Sequence, residues 1–279
     1  RTYTPCPVPC ALPGAVASLR TRWGSTFPKP HVRQQKRNTR FASVPFPLAY
    51  VPTADSGGRR KTDIAIFHCP IQIIKRSVGR SAVAAAAYRS GEKLTSEWDG
   101  LTRDYTHKPG VVHSEIMLPA HAPPEFADRS TLWNSVEQIE KASDAQLARE
   151  IEVALPVELS RAEQLALVRS FVKDNFVAEG MCADFALHDK GDGNPHAHIM
   201  LTIRPLREDG KWGAKCRKVY DLDSQGNRIP DGKGGWKNHR EDTTDWNNRD
   251  NAEKWRAAWA AYANRALEAA GRPERIDHR

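Results

Sequence analysis

His188-Asp189-Lys190-Gly191-Asp192-Gly193-Asn194-Pro195-His196-Ala197-His198-Ile199-Met200 reads as the bend of a β-hairpin. Asp, Gly, Asn and Pro crowd positions 189–195, and these residues favour turns through left-handed backbone, fixed φ and side-chain bonds to nearby amides. The apolar runs on either side, Cys182 to His188 and His196 to Ile203, are predicted to be its two strands. His196 and His198 are two residues apart, so both rings leave one face of their strand, while Ile199, Leu201 and Ile203 turn to the other. Folding at the turn brings His188 beside the pair. Three imidazoles converging in this way make a half-open site for a divalent cation, with positions left for substrate oxygens. Nitrogen donors suit Mn²⁺, Zn²⁺, Co²⁺ and Ni²⁺, whereas Mg²⁺ prefers oxygen.

Working outward, the hairpin sits in a chain of alternating strand and helix signals. Ile64 to Cys69 reads as a strand that continues past Pro70 into Ile71–Ile74. Ser81 caps a predicted helix from Ala82 to Leu94, and Val111 to Leu118 is a second strand. A helix from about Arg129 to Lys141 precedes the strand Ala148 to Leu155. There Ile151, Val153 and Leu155 share one face, and Glu150, Glu152 and Ala154 the other. Ser160 caps a helix reaching about Phe176. Residues 206–250 are polar and predicted to form a long ordered loop or hairpin. Asn251 to Ala270 closes the module as an amphipathic helix with Trp255, Trp259, Tyr262, Ala266 and Leu267 turned to the core. The expected fold is α+β, an antiparallel sheet of about five strands with packed helices.

Composition sets outer limits. The 279 residues carry a net charge of +8, but residues 1–62 hold eleven Lys/Arg against Asp55 alone, so the remainder is slightly acidic. The basic total is therefore no evidence of nucleic-acid binding by the folded part. Residues 1–62 lack sustained periodicity and are expected to be disordered or a non-native extension, with 63–279 as the folded module, truncated at its C-terminus. Five cysteines without regular spacing argue against a disulfide framework. No apolar run reaches the ~20 residues of a membrane span, which excludes an inserted helix and leaves the cytoplasm as the expected compartment.

Two tyrosines could supply a nucleophile. Tyr88 follows an alanine run that lets its helix approach a sheet closely, and Tyr105 is equally good by composition; periodicity does not choose between them. A phenol of pKa about 10 needs a nearby cation and a proton acceptor to attack at neutral pH.

Three separated motifs carry a family likeness: Arg80-Ser81-Ala82-Val83-Ala84-Ala85-Ala86-Ala87-Tyr88-Arg89-Ser90-Gly91-Glu92, Glu150-Ile151-Glu152-Val153-Ala154-Leu155-Pro156, and Gly193-Asn194-Pro195-His196-Ala197-His198-Ile199-Met200. Together they resemble the MobA/MobL relaxases of mobilisable plasmids, within the HUH endonuclease group, and the TraA-type conjugative relaxases. The resemblance covers about residues 63–279. It implies a site- and strand-specific DNA nickase acting at an origin of transfer, oriT, on single-stranded or hairpin DNA. Tyr88 then matches the nucleophile that forms a 5′-phosphotyrosine, and His188, His196 and His198 match the triad holding one divalent ion, Mn²⁺ or Mg²⁺ first. Glu150 or Glu152 would assist, with Glu152 slightly favoured. Arg80, Arg89 and Arg204, with Lys215 to Lys218, are candidate phosphate contacts. Accessory relaxosome proteins and a type IV coupling protein are the implied partners. The rivals are a rolling-circle replication initiator, a hydrolase in which water attacks, and a non-catalytic DNA-binding remnant.

Overall fold

The computed structural model describes residues 67–279; the expectations for residues 1–62 and for the Ile64–Ile66 part of the first strand lie outside the described residues. A five-stranded antiparallel sheet is ordered β1-β5-β7-β6-β4. Its strands are β1 (Ile71–Lys75), β4 (Val111–Met117), β5 (Gln146–Ala154), β6 (Ala183–His188) and β7 (His196–Thr202). Between β1 and β4 lie helix α1 (Ala82–Ser90) and the two-stranded pair β2 (Lys93–Thr95) and β3 (Thr102–Asp104). Helices α2 (Arg129–Ile139), α3 (Arg161–Val172) and α4 (Asp250–Ala269) complete the layers, and β8 (Cys216–Tyr220) pairs with β9 (Asn238–Asp242) as an exposed hairpin. Among the described residues no helix is long and apolar enough to cross a membrane.

Strand alternation divides the core in two. Ile151, Val153, Ile199 and Leu201 face α3 and α4, where Phe171, Trp255, Trp259 and Leu267 pack against them. Ala148 and Met200 face the other way, against Val83, Ala86 and Ala87 of α1 and Leu132, Trp133 and Val136 of α2. Ala82, Ala86 and Ala87 of α1 are buried, so that face of the helix backbone lies close to its neighbours.

Three predicted elements differ in extent. Helix α1 ends at Ser90, not Leu94, because Gly91 enters the left-handed region (φ 71°) and returns its amide to the Ala87 carbonyl. Residues 93–95 are thereby released to form β2. The first strand begins at Ile71, since Pro70 has no amide to donate. The backbone still follows β5 before it, with the amides of Glu152 and Ala154 donating to the carbonyls of Pro70 and His68. Ser160 caps α3 reciprocally with Glu163, and a π-turn over Lys173–Val177 replaces that helix's expected last turn.

Candidate metal centre and tyrosine helix

His188 closes β6 directly opposite His196, which opens β7, and His198 lies opposite Ala186. The three ring centroids are 4.8–5.3 Å apart, and one ligand atom from each ring lies within 4.8 Å of the others. Each ring is oriented through one nitrogen. His188 Nε2 donates to the Arg89 carbonyl (2.7 Å), His196 Nδ1 to the Asn194 carbonyl (2.9 Å) and His198 Nδ1 to Glu150 Oε1 (3.0 Å). Acceptors on those sides require an N–H there. The lone pair of each tautomer therefore rests on Nδ1 of His188 and on Nε2 of His196 and His198, as a metal ligand needs. Three oriented neutral imidazoles fit a borderline divalent cation such as Mn²⁺, Zn²⁺ or Co²⁺.

Electrostatics keep His188 and His198 neutral. Burial lowers the His188 pKa to about 3 against the pull of its bond to the Arg89 carbonyl, with His198, Lys108 and His196 adding to the fall. His198 is lowered too, by burial first, while Glu150 opposes. Glu150 is fully buried. Burial alone would raise its pKa, but the His198 hydrogen bond and the Arg89 charge hold it at about 2.

A stability profile follows. A histidine held near 3 in the folded chain and near 6.5 when unfolded binds fewer protons folded, so its contribution is full above about pH 6.5 and falls on acidification. For His188 the loss from pH 7 to pH 5 is about 2 kcal/mol, or about 5 °C in Tm. Thermal melts of chelator-treated protein should show this decline, and His188→Asn should flatten it.

Glu152, beside Glu150 on the same sheet face, is different. Its Oε1 is buried without a hydrogen bond, 3.7 Å from His68 Nε2, and its Oε2 is 3.7 Å from His198 Nδ1. A carboxylate oxygen left unbonded next to the trio has capacity to take a proton or bind water.

Tyr88 lies on the last turn of α1 and is 46% exposed. Tyr105 meets its ring edge-on at 5.2 Å and is half-buried against the α1–α2 core. The helix is clamped at several points. At its start the buried Glu137 of α2 accepts from Ser81 Oγ (2.6 Å) and the Val83 amide (3.2 Å). Just beyond its end, Glu92 pairs with Arg129, which also pairs with the buried Asp184 (2.9 Å). In its last turn the Arg89 guanidinium pairs with Glu150. Glu150 therefore holds both the tyrosine helix and one of the three imidazoles.

The candidate phosphate contacts separate. Arg80 is exposed and donates to Gln72 Oε1 (3.0 Å). Arg89 turns inward to Glu150, and Arg204 to Glu140 (2.7 Å) and the Gly213 carbonyl (2.7 Å). Lys215 is likewise held by Glu140 (2.9 Å) and the Gln146 carbonyl. Asp189 takes part in the turn, accepting from the Gly191 amide and pairing with Arg161. His68, Glu137, Arg129 and Asp184 were not singled out from the sequence. Each acts through a partner 37–84 residues away, and no local pattern signals that.

This arrangement defines a class: an α+β domain whose central hairpin presents a candidate three-histidine metal centre beside a helix carrying an exposed tyrosine. A model of the MobA/MobL family matches residues 80–279, and the chain belongs to that family. It is 46% identical over 180 residues to the conjugal transfer protein TraA of Agrobacterium fabrum, covering 61% of this chain and 16% of TraA. It is 36% identical over 241 residues to the mobilization protein MobL of Acidithiobacillus ferridurans, covering 77% and 58%. A solved structure concerned with the molecular basis of vancomycin resistance transfer in Staphylococcus aureus superposes with a TM-score of 0.66 at 28% identity, covering 77% of this chain and 99% of that one. The chain thus spans less than two thirds of the length of these curated relatives.

Proposed function

We propose that residues 63–279 form a DNA relaxase module, which cuts one strand at an origin of transfer by transesterification and remains attached to the new 5′ end. The observation that carries this reading is the bond from His188 to the Arg89 carbonyl, which ties the imidazole trio to the residue next to the exposed Tyr88. A hydrolase needs no phenol there.

His188, His196 and His198 would hold one divalent cation, with Mn²⁺ or Mg²⁺ first in order and Mn²⁺ the better match to nitrogen donors. When bound, it would draw charge from a non-bridging phosphate oxygen and ease attack at phosphorus. Tyr88 Oη attacks phosphorus and gives up its proton, for which the unbonded Oε1 of Glu152 is the candidate acceptor in this reading. The bond to the 3′-oxygen breaks, and that oxygen leaves as a 3′-hydroxyl after taking up a proton. One phosphoester replaces another, so the step is reversible and needs no ATP. Glu150 keeps His198 in its tautomer and fixes the height of α1.

Single-stranded or hairpin DNA is the substrate of this reading. The exposed β8–β9 hairpin, with Lys218, Arg228, Lys233, Lys237 and the 46% exposed Trp236, offers charge for phosphates and a ring for a base. Work in the bacterial cytoplasm with relaxosome accessory proteins and a type IV coupling protein belongs to the same proposal.

Labelled oligonucleotides tiled over both strands of the DNA flanking the gene test it. With Mn²⁺ present, one strand should yield a denaturation-resistant protein–DNA adduct and a free 3′-hydroxyl, both lost with EDTA. Cleaved DNA with no adduct would favour the hydrolase, and intact DNA throughout the binding remnant.

A further inference from the structure

We propose that Lys108 is a positioning residue for Tyr88, placing its ammonium group against the tyrosine ring so that the phenolate form is stabilised in both cutting and rejoining. The inference rests on the relaxase reading above and adds a residue to it.

The last carbonyls of a helix lack intrahelical partners and carry the negative end of its dipole. In α1 the Ala87 carbonyl takes the amides of Gly91 and Glu92, and the Arg89 carbonyl takes His188. The Tyr88 carbonyl takes Lys108 Nζ at 2.7 Å. The same ammonium stands 3.7 Å from the Tyr88 ring centroid, within cation–π range. A cation there interacts far more strongly with a phenolate than with a phenol.

The segment carrying Lys108 is fixed on both sides. Its amide bonds the Tyr105 carbonyl (2.9 Å), and the Tyr105 ring closes the other approach to Tyr88. Two residues on, the Gly110 carbonyl accepts from the Asp189 amide (2.8 Å), next to His188. A side chain at Gly110 (φ 86°) would meet Lys190 Cγ at 2.8 Å and the Asp189 carbonyl oxygen at 3.3 Å, so the turn is seated directly on the strand end of the trio. The charged groups around Lys108 are Arg89 on α1 and Lys190 on the β6–β7 turn, and the neutral, titratable His188 on β6 also faces it. Burial first, then Arg89 and Lys190, lowers its pKa to about 8. It remains mostly a cation at neutral pH.

In the proposed reaction the phenol loses a proton as its oxygen bonds phosphorus, and in rejoining the phenolate is the leaving group. A cation at the ring favours that anion in each direction.

The test compares K108M with K108R in the full chain. Tyr88 ring ¹H–¹³C resonances, assigned by their loss in Tyr88→Phe, should move in wild type between pH 7 and 9 with a midpoint near 8. K108M should lack that step. Adduct formation and strand rejoining should both be about tenfold slower in K108M and within about threefold of wild type in K108R, at unchanged Tm. Ring resonances in K108M with the wild-type position and pH response overturn the proposal. So does a wild-type adduct rate in K108M. Adduct formation that survives Tyr88→Phe instead removes Tyr88 from the relaxase reading, and the resonances still decide whether Lys108 acts on the ring.

Discussion

Tyr88→Phe is expected to abolish the covalent protein–DNA adduct, a loss of about a thousandfold or more, with metal affinity and Tm unchanged. The substitution removes one oxygen and keeps the ring. Its edge contact with Tyr105 and the Lys108 ammonium over its face both survive. Because the side chain is 46% exposed, the lost hydroxyl leaves no buried partner stranded. Tyr105→Phe is the control. That ring is half-buried against the α1–α2 core, and its variant should form adduct within about fivefold of wild type. Denaturing gels with labelled DNA read both, and the opposite pattern would transfer the nucleophile to Tyr105.

Glu150→Ala should have the largest effect on the fold and weaken the metal site with it. The carboxylate, itself fully buried, accepts from Gln72 Nε2 (2.7 Å) and His198 Nδ1 (3.0 Å) and pairs with Arg89. Removing it strands a largely buried guanidinium, a change that costs about 3–5 kcal/mol. It also frees the His198 ring to change tautomer, which should lower metal affinity about 10- to 100-fold. Urea denaturation and titration calorimetry with Mn²⁺ measure the two losses. Glu150→Gln retains an acceptor oxygen and should fall between wild type and Ala in both. Equal stability of Ala and wild type would contradict the role given to the Arg89 pair.

These assignments divide by how far each signal reaches along the chain. The trio was legible because the turn at 189–195 brings His188 back to His196, and a two-residue spacing puts His198 on the same face. Glu150 and Glu152 were legible as a same-face pair for that reason, but their different tasks were not. What separates them is whether Arg89 and Gln72 reach a carboxylate from other elements. The end of α1 was misjudged because leucine and lysine continue a helical composition beyond Gly91, and one left-handed residue outweighs that propensity. Arg89 and Arg204 read as surface cations on charge alone; the fold turns both toward buried glutamates. The family motifs named Tyr88, yet nothing near it in sequence pointed to Lys108, which lies twenty residues further on and reaches it only after β2 and β3 double back.

The bond from His188 to the end of α1 is made to a peptide oxygen rather than a side chain. Every amino acid at position 89 presents that oxygen, so mutational drift there can alter the grip of Glu150 but cannot erase the link between cation strand and tyrosine. Breaking it requires the final helical turn to unwind, and the left-handed glycine at 91 is what holds that turn closed. Robustness of the junction is thus vested in a residue that has no side chain at all.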